Sequence, residues 1–187
     1  MMNHRTRPPL FLSALCALML FSLSSEAEAR QTRMDMESMK EVSEAVVLAR
    51  TVSTESFWND SGTAILTRVT LQVTDRLSGQ AGTETEIIVP GGQVGDYLHE
   101  VSDMPSFTVN EESVVFIERH RSGTLIVAGG NAGKLDVSID PVTGIRTVPG
   151  GVFGAENRAI QNAGKGGETA DPPARMSIED LKSRLRE

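Results

Sequence analysis

The sequence predicts a mainly β protein with antiparallel strands and a short helix at each end of the folded region. From Ala45 to Val148 the apolar residues are mostly Val, Ile, Leu and Phe, in short runs broken by Gly, Asp, Asn and Pro. This is the pattern of a small antiparallel β protein. Helical spacing of apolar residues occurs only outside this stretch, near Met36 and near Leu181. The strands are therefore expected to supply the core, with the helices at its periphery.

Residues Met1–Ala29 have the organisation of a secretory signal peptide. A cationic start precedes an apolar run of 14 residues, Leu10–Leu23, and Ala27-Glu28-Ala29 supplies the small-x-small pattern that signal peptidase recognises. The run is shorter than the about 20 residues of a membrane-spanning helix. We expect cleavage after Ala29, a mature chain that begins at Arg30 and is secreted or periplasmic, and no integral membrane segment after cleavage.

The composition of the mature chain excludes several classes of protein. The single cysteine, Cys16, lies in the predicted signal, so the mature chain has no thiol for a disulfide, a metal or a nucleophile. The signal holds two arginines and two glutamates, so its removal leaves the net charge of −7 unchanged. A surface of this charge repels nucleic acid, which is therefore not an expected partner.

The first half of the β region contains a helix and three predicted strands. Asp35 can cap a helix that runs to about Glu44, with Met36, Met39 and Val42 on one side. A strand begins at Ala45-Val46-Val47-Leu48-Ala49, and Thr63–Val73 alternates apolar and polar residues. Asn59-Asp60-Ser61-Gly62 is the predicted turn between these two strands. A third strand, Glu84–Val89, is expected to stop at Pro90.

Two short strands and one well-specified hairpin are predicted in the second half. The strands are Ser113–Glu118 and Leu125–Ala128. In the hairpin, Leu135, Val137 and Ile139 precede the turn Asp140-Pro141-Val142-Thr143-Gly144, and the chain emerges at Ile145. Proline suits the first inner position of the turn and glycine accepts the left-handed one. The folded β domain is therefore expected to span residues 30–150.

The end of the chain is expected to be a linker followed by a helix. Residues 151–176 are rich in Gly, Ala, Asn, Glu and Pro, a composition that cannot offset the entropy of ordering, and we interpret them as a flexible linker. Residues 177–187 place Ile178, Leu181 and Leu185 at helical spacing, with Ser177 and Asp180 as a capping pair. The pattern predicts a short amphipathic helix that packs on its own domain or on a partner.

Several motifs occur in a fixed order between Met39 and Val137. They are an apolar first strand, a long second strand, Val-Pro-Gly-Gly, Pro-x-Phe before an acidic turn, a second apolar strand and Gly-Gly-x-x-Gly-Lys. In this chain they correspond to Val46–Val52, Ala64–Leu77, Val89–Gly92, Pro105–Phe107 with Glu111-Glu112, Val114–Ile117 and Gly129–Lys134. In this order of elements the chain resembles a set of uncharacterised bacterial secreted proteins.

The resemblance implies a small antiparallel barrel of five to seven strands. Such proteins look like barrels of the oligonucleotide/oligosaccharide-binding type (OB-fold), and more loosely like the netrin-like domain of metalloproteinase inhibitors. Those inhibitors block a zinc ion through an N-terminal cysteine, whereas the mature chain is expected to start at Arg30 and lacks cysteine. An OB-like fold can therefore carry over from the resemblance, but the inhibitory mechanism cannot.

One segment partly imitates a zinc-protease motif. His99-Glu100-Val101-Ser102-Asp103 follows the spacing of His-Glu-x-x-His, with Asp103 in place of the second histidine and Asp96 close by. Oxygen-rich ligands at these positions could hold a metal for hydrolysis. Pro105 and the lack of a long apolar helix instead favour a solvated loop.

The glycine clusters and the aromatic residues offer two other candidate sites. None of the clusters Gly91–Gly95, Gly129–Lys134 and Gly150–Gly154 has the spacing that cradles phosphate, so they are interpreted as bends and bulges. Phe57-Trp58 is the one adjacent aromatic pair, and a tryptophan at a turn can be exposed for recognition or can cap the core.

These observations predict a non-catalytic binding or protein-interaction module that works outside the cytoplasm. The expected partner is another secreted or envelope protein, such as a secreted peptidase, and no cofactor is expected. The candidate contact residues are Phe57, Trp58 and His99. Two alternatives remain open: a metal-dependent hydrolase that uses Asp96, His99, Glu100 and Asp103, and a carbohydrate or envelope-surface binder that uses Trp58.

Overall fold

The computed structural model describes residues 36–150 and 175–186. The predicted signal peptide (residues 1–29) and most of the predicted linker (residues 151–174) lie outside the described residues. The described elements are helix α1 (Met36–Val42), strands β1 (Ala45–Trp58), β2 (Ile65–Gly79), β3 (Glu84–Pro90), β4 (Gly92–Val94), β5 (Tyr97–His99), β6 (Glu112–Arg119), β7 (Leu125–Val127), a 3-10 turn (Gly130–Gly133), β8 (Lys134–Asp136), β9 (Ser138–Ile139), β10 (Arg146–Pro149), β11 (Arg175–Ser177) and helix α2 (Ile178–Arg186).

The main sheet has the strand order β3-β2-β1-β6-β7, and β8 also pairs with β6. Every pairing in it is antiparallel. The predicted mainly β class, the antiparallel pairing and the two peripheral helices are thereby confirmed. The edge strands β3 and β7 approach each other with Cα atoms within 8 Å, yet no ladder joins them in the described part of the chain. The sheet is therefore curled but not closed in the described residues, so the coarser prediction of an antiparallel β fold is met without a closed barrel.

Both faces of the sheet are covered at Ala45–Ala49 of β1 and at Val114–Ile117 of β6, which explains the unbroken apolar runs there. Alternate residues of β1, β2, β3 and β6 point into the concave side of the sheet and form one core cluster. The intervening residues of β1 and β6 form a second cluster on the opposite side, together with α1, α2 and β10. Val47 and Ala49 lie in the first cluster, whereas Val46 and Leu48 lie in the second. A run such as Ala45–Ala49 is expected for a strand covered on both sides.

The C-terminal helix packs on its own domain. Ile178, Leu181 and Leu185 are buried in the second core cluster. The predicted capping pair is present, because the Asp180 N–H donates to Ser177 Oγ at 3.0 Å and Ser177 Oγ lies 2.7 Å from the Asp180 carboxylate. An ion pair between Lys182 and Asp75 of β2 adds a polar contact at the margin of the helix. In the described residues, no helix has the length and apolar character needed to cross a membrane.

The N-terminal helix is shorter than predicted. It ends at Val42, where Ser43 caps it by donating its backbone N–H and its hydroxyl to the Met39 carbonyl, at 3.1 and 2.6 Å. Met39 is fully buried in the second core cluster and Met36 packs against it. Val42, which was expected on the same side, is 47% exposed, because the chain leaves the helix there to enter β1.

The predicted hairpin at Asp140 belongs to a small second sheet of order β11-β10-β9. The Asp140 carboxylate accepts the backbone N–H groups of Val142 and Thr143 at 2.9 and 2.8 Å. Hydrogen bonds from Thr143 and Val142 hold the pKa of Asp140 below its usual range. Arg175 and Met176, which were assigned to the linker, instead belong to β11, which pairs with β10.

Two hydroxyls in the core lack a hydrogen-bond partner among the described residues. Thr51 Oγ1 and Ser113 Oγ are buried without a hydrogen bond in the described part of the chain. A buried hydroxyl without a partner costs its desolvation free energy, whereas an apolar group of the same shape does not. We expect Thr51→Val to raise the free energy of unfolding by about 1 kcal/mol, measured by urea denaturation.

Thr147 provides the matched control. It is also buried, but its hydroxyl donates to the Ser138 carbonyl at 3.3 Å and accepts from Arg175 Nε at 2.8 Å. Thr147→Val should therefore lower the free energy of unfolding, since it leaves partners unsatisfied. A loss of stability in Thr51→Val as large as that in Thr147→Val would show that the Thr51 hydroxyl is bonded.

Candidate functional site

A cleft of about 410 Å³ lies at one end of the curled sheet. Its floor is the concave face of β1, β2 and β3, and its walls are the β4–β5 hairpin and the loop Met104–Phe107. Its volume is within the range of small-molecule and side-chain binding sites. The residues that line it are Thr54, Ser56, Thr67, Val69, Val89–Gly92, Leu98–Val101 and Met104–Phe107.

The hairpin is held against the sheet by a chain of hydrogen bonds. Thr67 Oγ1 donates to the Gly91 carbonyl at 2.7 Å, so its oxygen accepts from Ser56 Oγ at 2.9 Å. Ser56 Oγ in turn accepts the Gln93 N–H at 3.3 Å. Gly92 lies directly on the Ser56 and Thr67 side chains, with a φ of +132° and no room for a Cβ atom. These contacts explain the first of the three glycine clusters as a close backbone approach.

An exposed pair of aromatic rings stands at the same end of the sheet. Trp58 contacts Tyr97 edge to face, with ring centroids 5.6 Å apart and an interplanar angle of 71°. The exposed fractions are 40% for Trp58, 67% for Tyr97 and 64% for the adjacent Leu98. Exposed aromatic and apolar side chains that cluster in this way are typical of recognition surfaces.

The three predicted contact residues are only partly brought together. Trp58 pairs with Ile65 in the β1–β2 ladder, and the Ile65 N–H donates to His99 Nδ1 at 3.4 Å. Trp58 and His99 therefore both lie next to Ile65. Because Nδ1 accepts, the proton of a neutral His99 is on Nε2. Phe57 points to the opposite face of the strand, where Arg68 lies 5.0 Å from its ring centre. Phe57 therefore does not line the cleft.

The predicted metal ligands do not assemble into a metal site. Asp96 is in the turn of the hairpin, His99 ends β5, Glu100 lines the cleft and Asp103 follows in a loop with a φ of +59°. No helix carries them, so the spacing of the zinc-protease motif does not place them on one face. Among residues 36–150 and 175–186, no three His, Cys, Asp or Glu side chains are grouped closely enough to hold a metal ion.

The loop Met104–Phe107, which forms one wall of the cleft, packs on a lysine whose side chain is buried. The Lys134 side chain is 7% exposed and contacts the carboxylates of Glu111, at 3.4 Å, and Asp136. Its ammonium also lies 5.2 Å from the ring centre of Phe107. Lys134 belongs to the second glycine cluster, Gly129–Lys134, so this cluster helps to fix the wall of the cleft.

The electrostatics of this end of the molecule are strongly one-sided. From Leu77 to Glu118 the sequence has no lysine or arginine and eight acidic residues. Glu111 and Glu112 are compensated by Lys134 and Arg146. The acidic residues on and beside the hairpin, Asp96, Glu100 and Asp103, form no ion pair within the described residues. The rim of the cleft is therefore negative.

A second, smaller cleft of about 300 Å³ lies between the start of β1 and the loop after β2, and Glu84 and Glu86 of β3 line it. Its main polar feature is the Glu44–Arg119 ion pair, with oxygen–nitrogen distances of 2.6 and 2.7 Å. Hydrogen bonds from Arg119 hold the pKa of Glu44 below its usual range. Because the guanidinium is occupied by Glu44 and by the Gly123 carbonyl, this cleft is the weaker candidate site.

Sequence reasoning identified Trp58 and His99 but missed the cleft, Tyr97 and Leu98. The signal that was available is the acidic stretch without lysine or arginine, which coincides with the hairpin and the cleft loop. No protein-family model matches the chain, and comparison with curated proteins and with solved structures found no match.

Proposed function

We propose that this chain is a non-catalytic binding module that uses the cleft to hold another secreted or envelope protein. The observation that carries the proposal is the cleft itself, which combines an apolar floor with the exposed rim of Trp58, Tyr97 and Leu98. An apolar depression with exposed aromatic residues beside it is suited to anchoring side chains of a partner. A secreted peptidase is one such partner.

The proposal includes export of the chain. It is supported by the cationic start, the 14-residue apolar run and the Ala27-Glu28-Ala29 pattern, which together are typical of a cleaved signal. The absence of cysteine after residue 29 is compatible with any extracytoplasmic compartment, because packing alone then supplies the stability. The site of action is accordingly the periplasm or the extracellular space.

We further propose that the curled sheet is an OB-like barrel and that the chain is related to the bacterial secreted proteins it resembles. An OB-fold is a partly open, five-stranded Greek-key barrel. Two features of this chain support the assignment: β6 returns to pair with β1 after the β1-β2-β3 meander, and β7 comes close to β3. The netrin-like comparison adds only fold type, since the N-terminal cysteine of the inhibitors is missing.

The hydroxyl groups of the cleft favour binding over hydrolysis. Ser56 donates its proton to Thr67 Oγ1 and Thr67 donates its proton to the Gly91 carbonyl, so neither hydroxyl is paired with a base. His99 Nδ1 accepts the backbone N–H of Ile65, which is 34 residues earlier in the sequence. This hydrogen bond joins the end of the β4–β5 hairpin to the start of β2 and gives His99 a role in fixing the hairpin. A metal-dependent hydrolase at Asp96, His99, Glu100 and Asp103 has no comparable geometric support.

Site-specific photo-crosslinking tests the proposal. We expect benzoylphenylalanine in place of Tyr97 to crosslink a partner protein in the native compartment, because this side chain is exposed at the rim of the cleft. The same group in place of Val142, which is 90% exposed in the turn between β9 and β10, is the matched control. Mass spectrometry would identify a product specific to position 97. Equal products at both positions, or none, would contradict the proposal.

The Trp58–Tyr97 pair also favours a second candidate, a carbohydrate of the cell envelope. Aromatic faces stack on sugar rings as they do on other planar or apolar ligands. Trp58 is the only tryptophan in the chain, so its fluorescence reports binding at this position. A shift in its emission on addition of N-acetylglucosamine oligomers, without crosslinks from position 97, would favour the carbohydrate over the protein partner.

A further inference from the structure

Strand β1 is much longer than the strand beside it, and this leaves a free edge. β6 pairs with β1 only from Ala45 to Arg50, and the pairing is extended to Thr51 by the backbone of Asn110 and Glu111. Beyond that point β1 is paired with β2 alone, and among the described residues no strand pairs with its other side. We call Val52–Ser56 the free edge of β1.

The free edge is open on both faces of the strand. Four consecutive residues, Val52 to Glu55, are exposed, although the side chains of a strand point alternately to its two sides. Among residues 36–150 and 175–186, no helix or loop covers this segment as α1 and α2 cover the first half of β1. Within Val52–Ser56, the β4–β5 hairpin contacts Ser56, through the Gln93 N–H and through Gly92.

The backbone groups of Thr54 and Ser56 point away from β2. The Asn59 N–H donates to the Ala64 carbonyl at 2.9 Å, so these two residues form a hydrogen-bonded pair. Such pairs alternate along an antiparallel ladder, which makes Phe57, Glu55 and Ser53 the residues bonded to β2. The N–H and C=O groups of Thr54 and Ser56 are consequently directed along the free edge, towards an incoming strand.

The edge also lacks the usual protection against pairing. Exposed edges are commonly blocked by lysine, proline or uncompensated charge, and Val52–Ser56 contains neither lysine nor proline. Its one charged side chain, Glu55, forms an ion pair with Arg68 across the ladder at 3.3 Å. A bulge, which can also turn an edge away from pairing, lies at the start of the segment between Thr51 and Ser53, and Ser53–Ser56 follow it in regular register with β2.

The charge beside the edge indicates which kind of strand it would accept. Glu100 lines the cleft next to Thr54 and Ser56, and Asp103 precedes the lining residue Met104. Neither carboxylate has an ion-pair partner in the part of the chain that the structure describes. The floor between them and β1 is apolar, with Val69, Val89 and Phe107. Complementarity therefore requires basic and apolar side chains in the partner.

We propose that the partner is an extended peptide segment rich in lysine or arginine and in apolar residues, which adds as a strand to the free edge of β1. The inference rests on the proposed function, since it specifies how the cleft holds a protein. Strand addition provides backbone hydrogen bonds to Thr54 and Ser56. Alternate side chains of the segment enter the cleft beside the Thr54 and Ser56 side chains, and basic residues meet Glu100 and Asp103.

The probe for this proposal is a synthetic peptide of four Lys-Val repeats added to the purified protein. We expect it to slow amide hydrogen exchange at Thr54 and Ser56, followed by NMR. A peptide of four Glu-Val repeats should bind at least about tenfold more weakly, because its charge is opposite. The Lys-Val peptide methylated at every backbone nitrogen keeps its charge and side chains but cannot donate hydrogen bonds, and it should lose the protection.

Protein variants separate the contribution of charge from that of the edge. Glu100→Gln with Asp103→Asn is expected to weaken the Lys-Val peptide several-fold and to remove most of the difference from the Glu-Val peptide. Glu41→Gln with Glu179→Gln, at exposed positions of α1 and α2, carries the same change of charge on helices that cover the opposite face of the sheet and is the control. Equal weakening in both double variants would overturn the assigned contact.

Three other outcomes would overturn the proposal. Equal binding of the methylated peptide would mean that charge alone attracts it, and protection confined to the β4–β5 hairpin would mean binding without strand addition. Protection of Thr54 that rises with protein concentration in the absence of peptide would mean that a second copy of the chain occupies the edge. If any of these results occurs while position 97 still crosslinks a partner, the proposed function stands and only strand addition is overturned. If position 97 also gives no crosslink, the proposed function and strand addition are both contradicted.

Discussion

Replacing Leu181 by alanine is expected to lower the free energy of unfolding by about 3 kcal/mol, measured by urea denaturation. Leu181 is fully buried in the core cluster that joins α2 to the back of β1 and β6. The substitution removes apolar contacts and leaves a cavity that the rigid sheet cannot fill. Because domains of this size are stable by about 5–15 kcal/mol, the loss is a large share of the total.

Glu179→Ala is the matched control on the exposed side of the same helix. It retains helix propensity and touches no buried group, so its effect should stay within about 0.5 kcal/mol. The amide exchange of Thr54 and Ser56 should not change in either variant while the protein remains folded, since α2 covers the opposite face of the sheet. An effect of Leu181→Ala as small as that of Glu179→Ala would show that α2 is not part of the core.

The elements that local chemistry specifies could be predicted from the sequence. The alternation in Thr63–Val73 predicted β2, the turn residues at Asp140–Gly144 predicted the β9–β10 hairpin, and Ser177 with Asp180 predicted the cap of α2. Each depends on residues close together in the chain. The packing of α2 on the back of the sheet depends on residues distant in sequence, such as Leu77 and Asp75 of β2, the latter 107 residues from its partner Lys182, so the amphipathic pattern alone left its location undecided.

The hairpin β4–β5 was missed for a related reason. Gly92–His99 has few β-branched or alternating residues, and its fold is determined by the hydroxyls of Ser56 and Thr67, on which Gly92 rests. The glycines were interpreted as bends and bulges, and Gly92 is a close backbone approach, but a single sequence does not show which surface it approaches. Closure of the predicted OB-like barrel could not be decided from the sequence either, because it depends on whether β3 and β7, which are distant in the chain, form a ladder.

The candidate site was predictable in residue type but not in arrangement. Trp58 was identified as a tryptophan at a turn and His99 as the first residue of the partial zinc-protease motif, and their proximity follows from the pairing of Trp58 with Ile65. Phe57 was included for adjacency, although adjacent residues of a strand face opposite sides. The free edge could not be predicted, because it arises from the difference between the 14 residues of β1 and the 8 residues of β6.

Replacing Gly79 by alanine is expected to destabilise the protein by about 3 kcal/mol, measured by thermal and urea unfolding. Gly79 ends β2 with a φ of +69°, and a Cβ atom there would collide with the backbone carbonyl of Glu44. The left-handed conformation costs an alanine about 1 kcal/mol or more. The collision adds to this because Ala45, directly opposite, is buried and its backbone cannot withdraw freely.

Gly62 separates these two contributions. It has nearly the same φ, +67°, in the turn between β1 and β2, but no atom lies within 4 Å of the position of its Cβ. Gly62→Ala should therefore cost only the conformational term, about 1 kcal/mol. The difference between the two variants measures the contact between the end of β2 and the start of β1. Equal losses would imply that Glu44 yields without cost, and that the register of the two longest strands is held elsewhere in their ladder.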